Sequence, residues 1–67
     1  MREWLKEKRQ EKGLTMAQLA KMCGITESYY AYIEAGERQK KMDITIANKL
    51  ANALDMPFLE VLEKEGL

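Results

Sequence analysis

A chain of 67 residues can enclose a single small apolar core, which excludes a two-domain architecture and the enzymes that need one. Its 11 basic and 11 acidic side chains cancel, so no net field selects a polyanionic partner, and 46% apolar with 33% charged residues is the balance of a folding chain. With no His, Cys23 as the lone Cys and Ser28 as the lone Ser, neither a Ser/His or Cys/His pair nor a His-containing zinc site can be assembled, so hydrolase and zinc-finger chemistry are excluded and no cofactor or metal is expected.

Helix starts and stops recur at short intervals while strand signals stay weak, which predicts an all-α fold of five short helices. The first is expected from about Arg2 to Lys12, ending at Gly13, after which Leu14 turns back to the core. Thr15 and Gln18 have the spacing of a capping box, and Leu14 and Leu19 that of a hydrophobic staple, so a second helix runs from about Met16 to Cys23 and breaks at Gly24. Ile25, Thr26 and Tyr30 repeat that start signal, and a third helix from about Glu27 to Ala35 stops at Gly36. The polar run Glu37-Arg38-Gln39-Lys40-Lys41 reads as an exposed loop. Asp43 then caps a fourth helix whose Ile44, Ala47, Leu50, Ala51 and Leu54 are expected to form a buried stripe. Asp55-Met56-Pro57 makes the last turn, and Phe58, Val61 and Leu62 the inner face of a fifth helix ending near Gly66. Trp4 and the methionines read as packing residues, and Cys23 as a small buried filler without function.

Charge is unevenly spread. Residues 1 to 12 carry five bases and three acids and residues 36 to 49 four bases and two acids, whereas residues 50 to 67 carry one base and four acids. One side can therefore meet a polyanion although the sum is zero, with an affinity that falls as salt rises.

The 20 residues from Met16 to Ala35 satisfy the demands of a helix-turn-helix. Ala20 is small where the two helices must cross closely, Gly24 stands at the turn, and Leu19, Cys23, Ile25, Tyr30 and Ile33 fall at the positions that must be buried. Setting Tyr30 and Ile33 inward puts Ser28 and Tyr32, four residues apart, on the opposite face, flanked by Ala31 and Ala35. That outer face can address base edges: Glu27 can accept from cytosine, Ser28 can donate or accept, and Tyr32 offers a ring edge or a hydroxyl. Arg38, Lys40 and Lys41 are expected on the DNA backbone alongside.

On Leu5-Lys6 with Arg9, Lys12-Gly13-Leu14-Thr15, Gln18-Leu19-Ala20-Lys21, Gly24-Ile25-Thr26, Tyr30, Ile33-Glu34-Ala35-Gly36 and Ala47 to Leu54, the chain resembles the phage repressor and Cro-type family of DNA-binding domains, also called the xenobiotic-response-element family. The resemblance covers nearly all of residues 1–67, read as a single domain, and implies a lambda-repressor-like fold that binds double-stranded DNA. It implies a third helix in the major groove, which assigns base contacts to Glu27, Ser28 and Tyr32 and places Thr26 on phosphate, with Tyr29 beside them as a further backbone contact. It also implies a partly buried structural ion pair between Arg9 and Glu34. Met16 stands where a Gln is usual, Glu27 puts an acid on the groove face and Glu37 an acid in a loop that is often basic, and together these lower the expected affinity; Lys8 and Asp55 replace an apolar residue and a Gly, which bears on the exact helix boundaries and not on the fold.

The expected function is a sequence-specific transcriptional regulator, a repressor without chemistry of its own, dimeric on an inverted repeat. Phe58, Leu59 and Leu67 are expected to form an apolar edge suited to self-association into a homodimer. The alternative keeps the fold as an antitoxin-like or other protein-interaction module, whose acidic last helix meets a protein partner. No apolar run approaches the roughly 20 residues that span a bilayer, the acidic start differs from a signal peptide, and a lone Cys suits a reducing compartment, so a cytoplasmic location is expected.

Overall fold

In the computed structural model, which describes residues 1–36 and 42–66, five helices and no strand are present among the described residues. They are α1 (Glu3–Glu11), α2 (Met16–Cys23), α3 (Glu27–Ala35), α4 (Ile44–Ala53) and α5 (Phe58–Lys64). The basic loop residues Arg38, Lys40 and Lys41, with Glu37, lie outside the described residues, as does Leu67.

Local chemistry sets the boundaries of the middle helices. At α2, Thr15 Oγ1 accepts from the Gln18 backbone N–H (3.1 Å) while Gln18 Oε1 accepts from the Thr15 N–H (2.8 Å), a complete capping box. Gly24 ends α2 at φ 71°, a left-handed conformation that side chains with a Cβ rarely adopt. Thr26 Oγ1 accepts from the Tyr29 N–H to start α3, and Asp43 Oδ1 accepts from the Thr45 and Ile46 N–H groups to start α4.

The core closes on Leu5, Leu19, Tyr30, Leu50, Leu54 and Val61, one or more from every helix. Helix α2 packs against α3 and α4, α4 against α5, and α1 against α3. Ala20 is buried within this packing, and Gly24 provides the turn between α2 and α3. Leu14, Met16, Ile25 and Phe58 pack on the rim, partly buried.

Two expectations are corrected. Ile44 is 67% exposed, and Ile46 takes its place in the buried stripe with Ala47, Leu50, Ala51 and Leu54. At 3.6 residues per turn Ile44 points about a quarter turn away from the middle of that stripe, and as the first helical residue it has no preceding turn to pack beneath. In α5, Val61 alone of the expected inner face is fully buried, with Phe58 and Leu62 half-buried. Gly36 does stop α3, but in an extended conformation (φ −66°): a Cβ there would meet Arg2 Nη1 at 2.8 Å.

No described helix is long and apolar enough to cross a membrane. Among the described residues, no group of His, Cys, Asp or Glu is arranged to hold a metal ion.

Candidate nucleic-acid interface

Helix α3 is anchored from inside and free outside. Tyr30 (0% exposed) and Ile33 lie in the core, whereas Glu27, Ser28, Tyr29 and Tyr32 are exposed, Tyr32 at 66%. Thr26 is exposed as well, its hydroxyl oxygen already accepting the Tyr29 N–H and its hydroxyl proton left to donate. A cleft on one flank of α3 is lined by Lys6, Met16, Ala31 and Ala35, and one on the other flank by Tyr29, Tyr32, Met42 and Asp43. The helix thus stands between two furrows, with Ser28 and Tyr32 on its outward side and the Tyr29 and Tyr32 rings walling one furrow. Among the candidate residues the structure brings together Thr26, Glu27, Ser28, Tyr29 and Tyr32.

The inner side of α3 is fastened to α1. Arg9 Nε donates to Glu34 Oε2 (3.0 Å) and Nη2 to Oε1 (3.2 Å), while Nη1 donates to the Leu14 carbonyl (2.9 Å). The pair is largely buried, with side-chain exposures of 12% for Arg9 and 6% for Glu34. Burial alone would raise the Glu34 pKa, but the Arg9 hydrogen bonds, the neighbouring Tyr30 hydroxyl and the Arg9 charge outweigh it and hold the carboxyl below its ordinary value. The Glu34 hydrogen bond in turn raises Arg9 against burial. Above the pair sits the Tyr30 hydroxyl, buried and without a fully formed hydrogen bond among the described residues; burial first, and the Glu34 carboxylate second, push its pKa well up. Cys23 is buried and its thiol is likewise pushed up by burial, which favours the protonated form.

Sequence reasoning missed two cations near this surface. Lys6 lines the furrow beside Ala31 and Ala35, and its position three residues before Arg9 was the signal that would have placed it on the α3 side of α1. Arg2 lies buried at the far end of α3, where its guanidinium meets Glu65 and the Ile33 carbonyl, and no local pattern announces a contact across 63 residues.

Two short helices crossing at a buried Ala, a left-handed Gly at the turn, and a second helix raised outward by its own core residues together define a helix-turn-helix protein. The chain belongs to the helix-turn-helix family of the Cro type, whose model matches residues 5–61. It is also similar to an uncharacterized HTH-type transcriptional regulator, YqaF, of Bacillus subtilis (strain 168), with 41% identity over 54 residues, which cover 81% of this chain and 68% of that protein.

Proposed function

We propose that this DNA-binding helix-turn-helix regulator is a dimeric repressor that lays α3 in the major groove of an inverted repeat, each subunit reading one half-site. The observation that carries the reading is the division of α3: Tyr30 and Ile33 are locked in the core while Ser28 and Tyr32 lie on the outward side of a helix with a furrow on each flank. In this reading Glu27, Ser28 and Tyr32 contact base edges, and Thr26, Tyr29, Arg38, Lys40 and Lys41 hold phosphates and sugars. The membership in the helix-turn-helix family and the relative named as a transcriptional regulator support the class of function.

Selection of bound sequences from a random duplex pool tests it directly. The chain is expected to enrich one inverted repeat and to lose affinity steeply with salt. Ser28→Ala and Tyr32→Ala are then expected to flatten discrimination at single base pairs, by about 1 to 3 kcal/mol for a good base contact. Lys40→Ala is expected to weaken all sequences alike and to lower the salt slope by about 1. Glu27→Gln is expected to move one position from C toward A. A second reading, a protein-interaction module, is favoured by the cleft between α1 and α5, where Glu3, Glu7, Glu60 and Glu63 outnumber Lys64 around Trp4. Absence of any enriched sequence, with little salt dependence, would overturn the first reading in favour of the second.

A further inference from the structure

Among the described residues, helix α3 finishes its own C-terminus with a single cap bond. It has no basic residue in its last turn, and Gly36 is extended rather than left-handed, so no Schellman closure forms. The Gly36 N–H closes on the Ile33 carbonyl at 3.2 Å, and two carbonyls of that turn, those of Ile33 and Glu34, are served in addition from outside the helix by Arg2, just ahead of α1. Arg2 Nη1 donates to the Ile33 carbonyl at 2.6 Å and the Arg2 backbone N–H donates to the Glu34 carbonyl at 2.8 Å. The guanidinium also supplies positive charge at the negative end of the helix dipole. It reaches this place because Gly36 has no Cβ: one added there would stand 2.8 Å from Nη1.

What aims the guanidinium is Glu65, directly after α5. Arg2 Nε donates to both Glu65 oxygens, at 2.9 and 3.0 Å, and Trp4 Nε1 fixes the same carboxylate at 2.8 Å. Both charged side chains are almost wholly buried, with exposures of 5% for Arg2 and 1% for Glu65. A buried pair of this kind adds little net stability over apolar packing but tolerates only one geometry. The end of α3, the start of α1 and the end of α5 thus meet on one guanidinium.

We propose that Arg2 is a positioning residue for DNA readout, holding α3 at the angle at which Ser28 and Tyr32 reach base edges, and that Glu65 makes this angle depend on the docking of α5. The inference rests on α3 being the reading helix. Arg2 touches no base in this scheme, and acts through the α3 backbone.

Arg2→Lys and Glu65→Gln are compared with Trp4→Phe, which loses one hydrogen bond to Glu65 and leaves both the Arg2–Glu65 ion pair and the Arg2 donors to α3 in place. For each full-length chain, melting temperature is measured, together with affinity for the selected duplex and for the same duplex carrying one mismatched base pair. A wild-type mismatch ratio of about tenfold, within the usual 1 to 3 kcal/mol per base pair, is expected to fall at least threefold in Arg2→Lys and Glu65→Gln and to persist in Trp4→Phe. Amide exchange in the last turn of α3 is expected to quicken in the first two variants only, each measured at the same interval below its melting temperature. Mismatch ratios that stay at the wild-type value in Arg2→Lys and Glu65→Gln overturn the proposal and leave Arg2 a stabilising residue. Should a variant not fold, the other decides. A wild-type chain that binds every duplex alike overturns the reading role of α3 itself, and with it the proposal.

Discussion

At Glu34 burial works against ionisation and two Arg9 hydrogen bonds work for it, and the hydrogen bonds win, leaving the folded pKa below the ordinary 4.5. The unfolded chain therefore binds the proton more readily at this site, so its contribution to stability is complete above about pH 4.5 and is lost as the pH falls through the lower folded value. Denaturant midpoints of wild type and Glu34→Gln, measured from pH 7 down to pH 3, are expected to converge in acid. Arg9→Ala is expected to cost about 3 to 5 kcal/mol at neutral pH, because it strands the Glu34 carboxylate in the interior. That is comparable with the whole stability of a chain this size, so circular dichroism without denaturant should already show unfolded protein. Of the charged pairs, Arg9–Glu34 was legible through the family resemblance alone, and Arg2–Glu65 was not legible at all. A surplus of acid after residue 50 looks like a solvated face in the sequence, and nothing local separates the buried Glu65 from the exposed Glu63 beside it.

Among the elements, those with self-contained start and stop signals were the readable ones. α2 and α3 have the bounds that Thr15, Gln18, Gly24 and Thr26 predict, since each signal acts within three residues of the helix end it sets. The first turn of α4 failed at Ile44 because burial there depends on which neighbours extend that far, which periodicity does not record. Two substitutions separate cap from turn. Thr15→Ala removes one half of the capping box and is expected to cost about 1 kcal/mol. Gly24→Ala meets open space but must hold φ 71°, so its cost, about 1 to 2 kcal/mol, is backbone strain alone. Each kcal/mol corresponds to roughly 4 to 8 °C in melting temperature for a domain of this size. Equal, negligible shifts in the two variants would mean that α2 is held by its packing on α3 and α4 and not by its ends.

For the whole molecule the question is how a chain with zero net charge and an exposed acid, Glu27, at the start of the helix proposed to read bases holds DNA at all. Few phosphate contacts per chain imply weak binding to an isolated half-site, and linking two chains turns the second contact into an intramolecular one, with a gain of about 10² to 10⁴ and no new contact to DNA. In the proposed function, dimerisation is the source of that added affinity. α5 is the element suited to it: Leu59 is 70% exposed, next to the half-buried Phe58. Leu59→Glu is expected to leave the melting temperature nearly unchanged, since the side chain is 70% exposed. It is expected to shift sedimentation to the monomer and to weaken binding of the inverted repeat to the level of a single half-site, which wild type and variant should bind alike. Half-sites moved from one helical turn, about 34 Å, to one and a half turns should weaken the wild type to the same level. A Leu59→Glu chain that still sediments as a dimer and binds the repeat at full strength would place the self-association surface elsewhere, with the exposed Ile44 at the start of α4 the next surface to test.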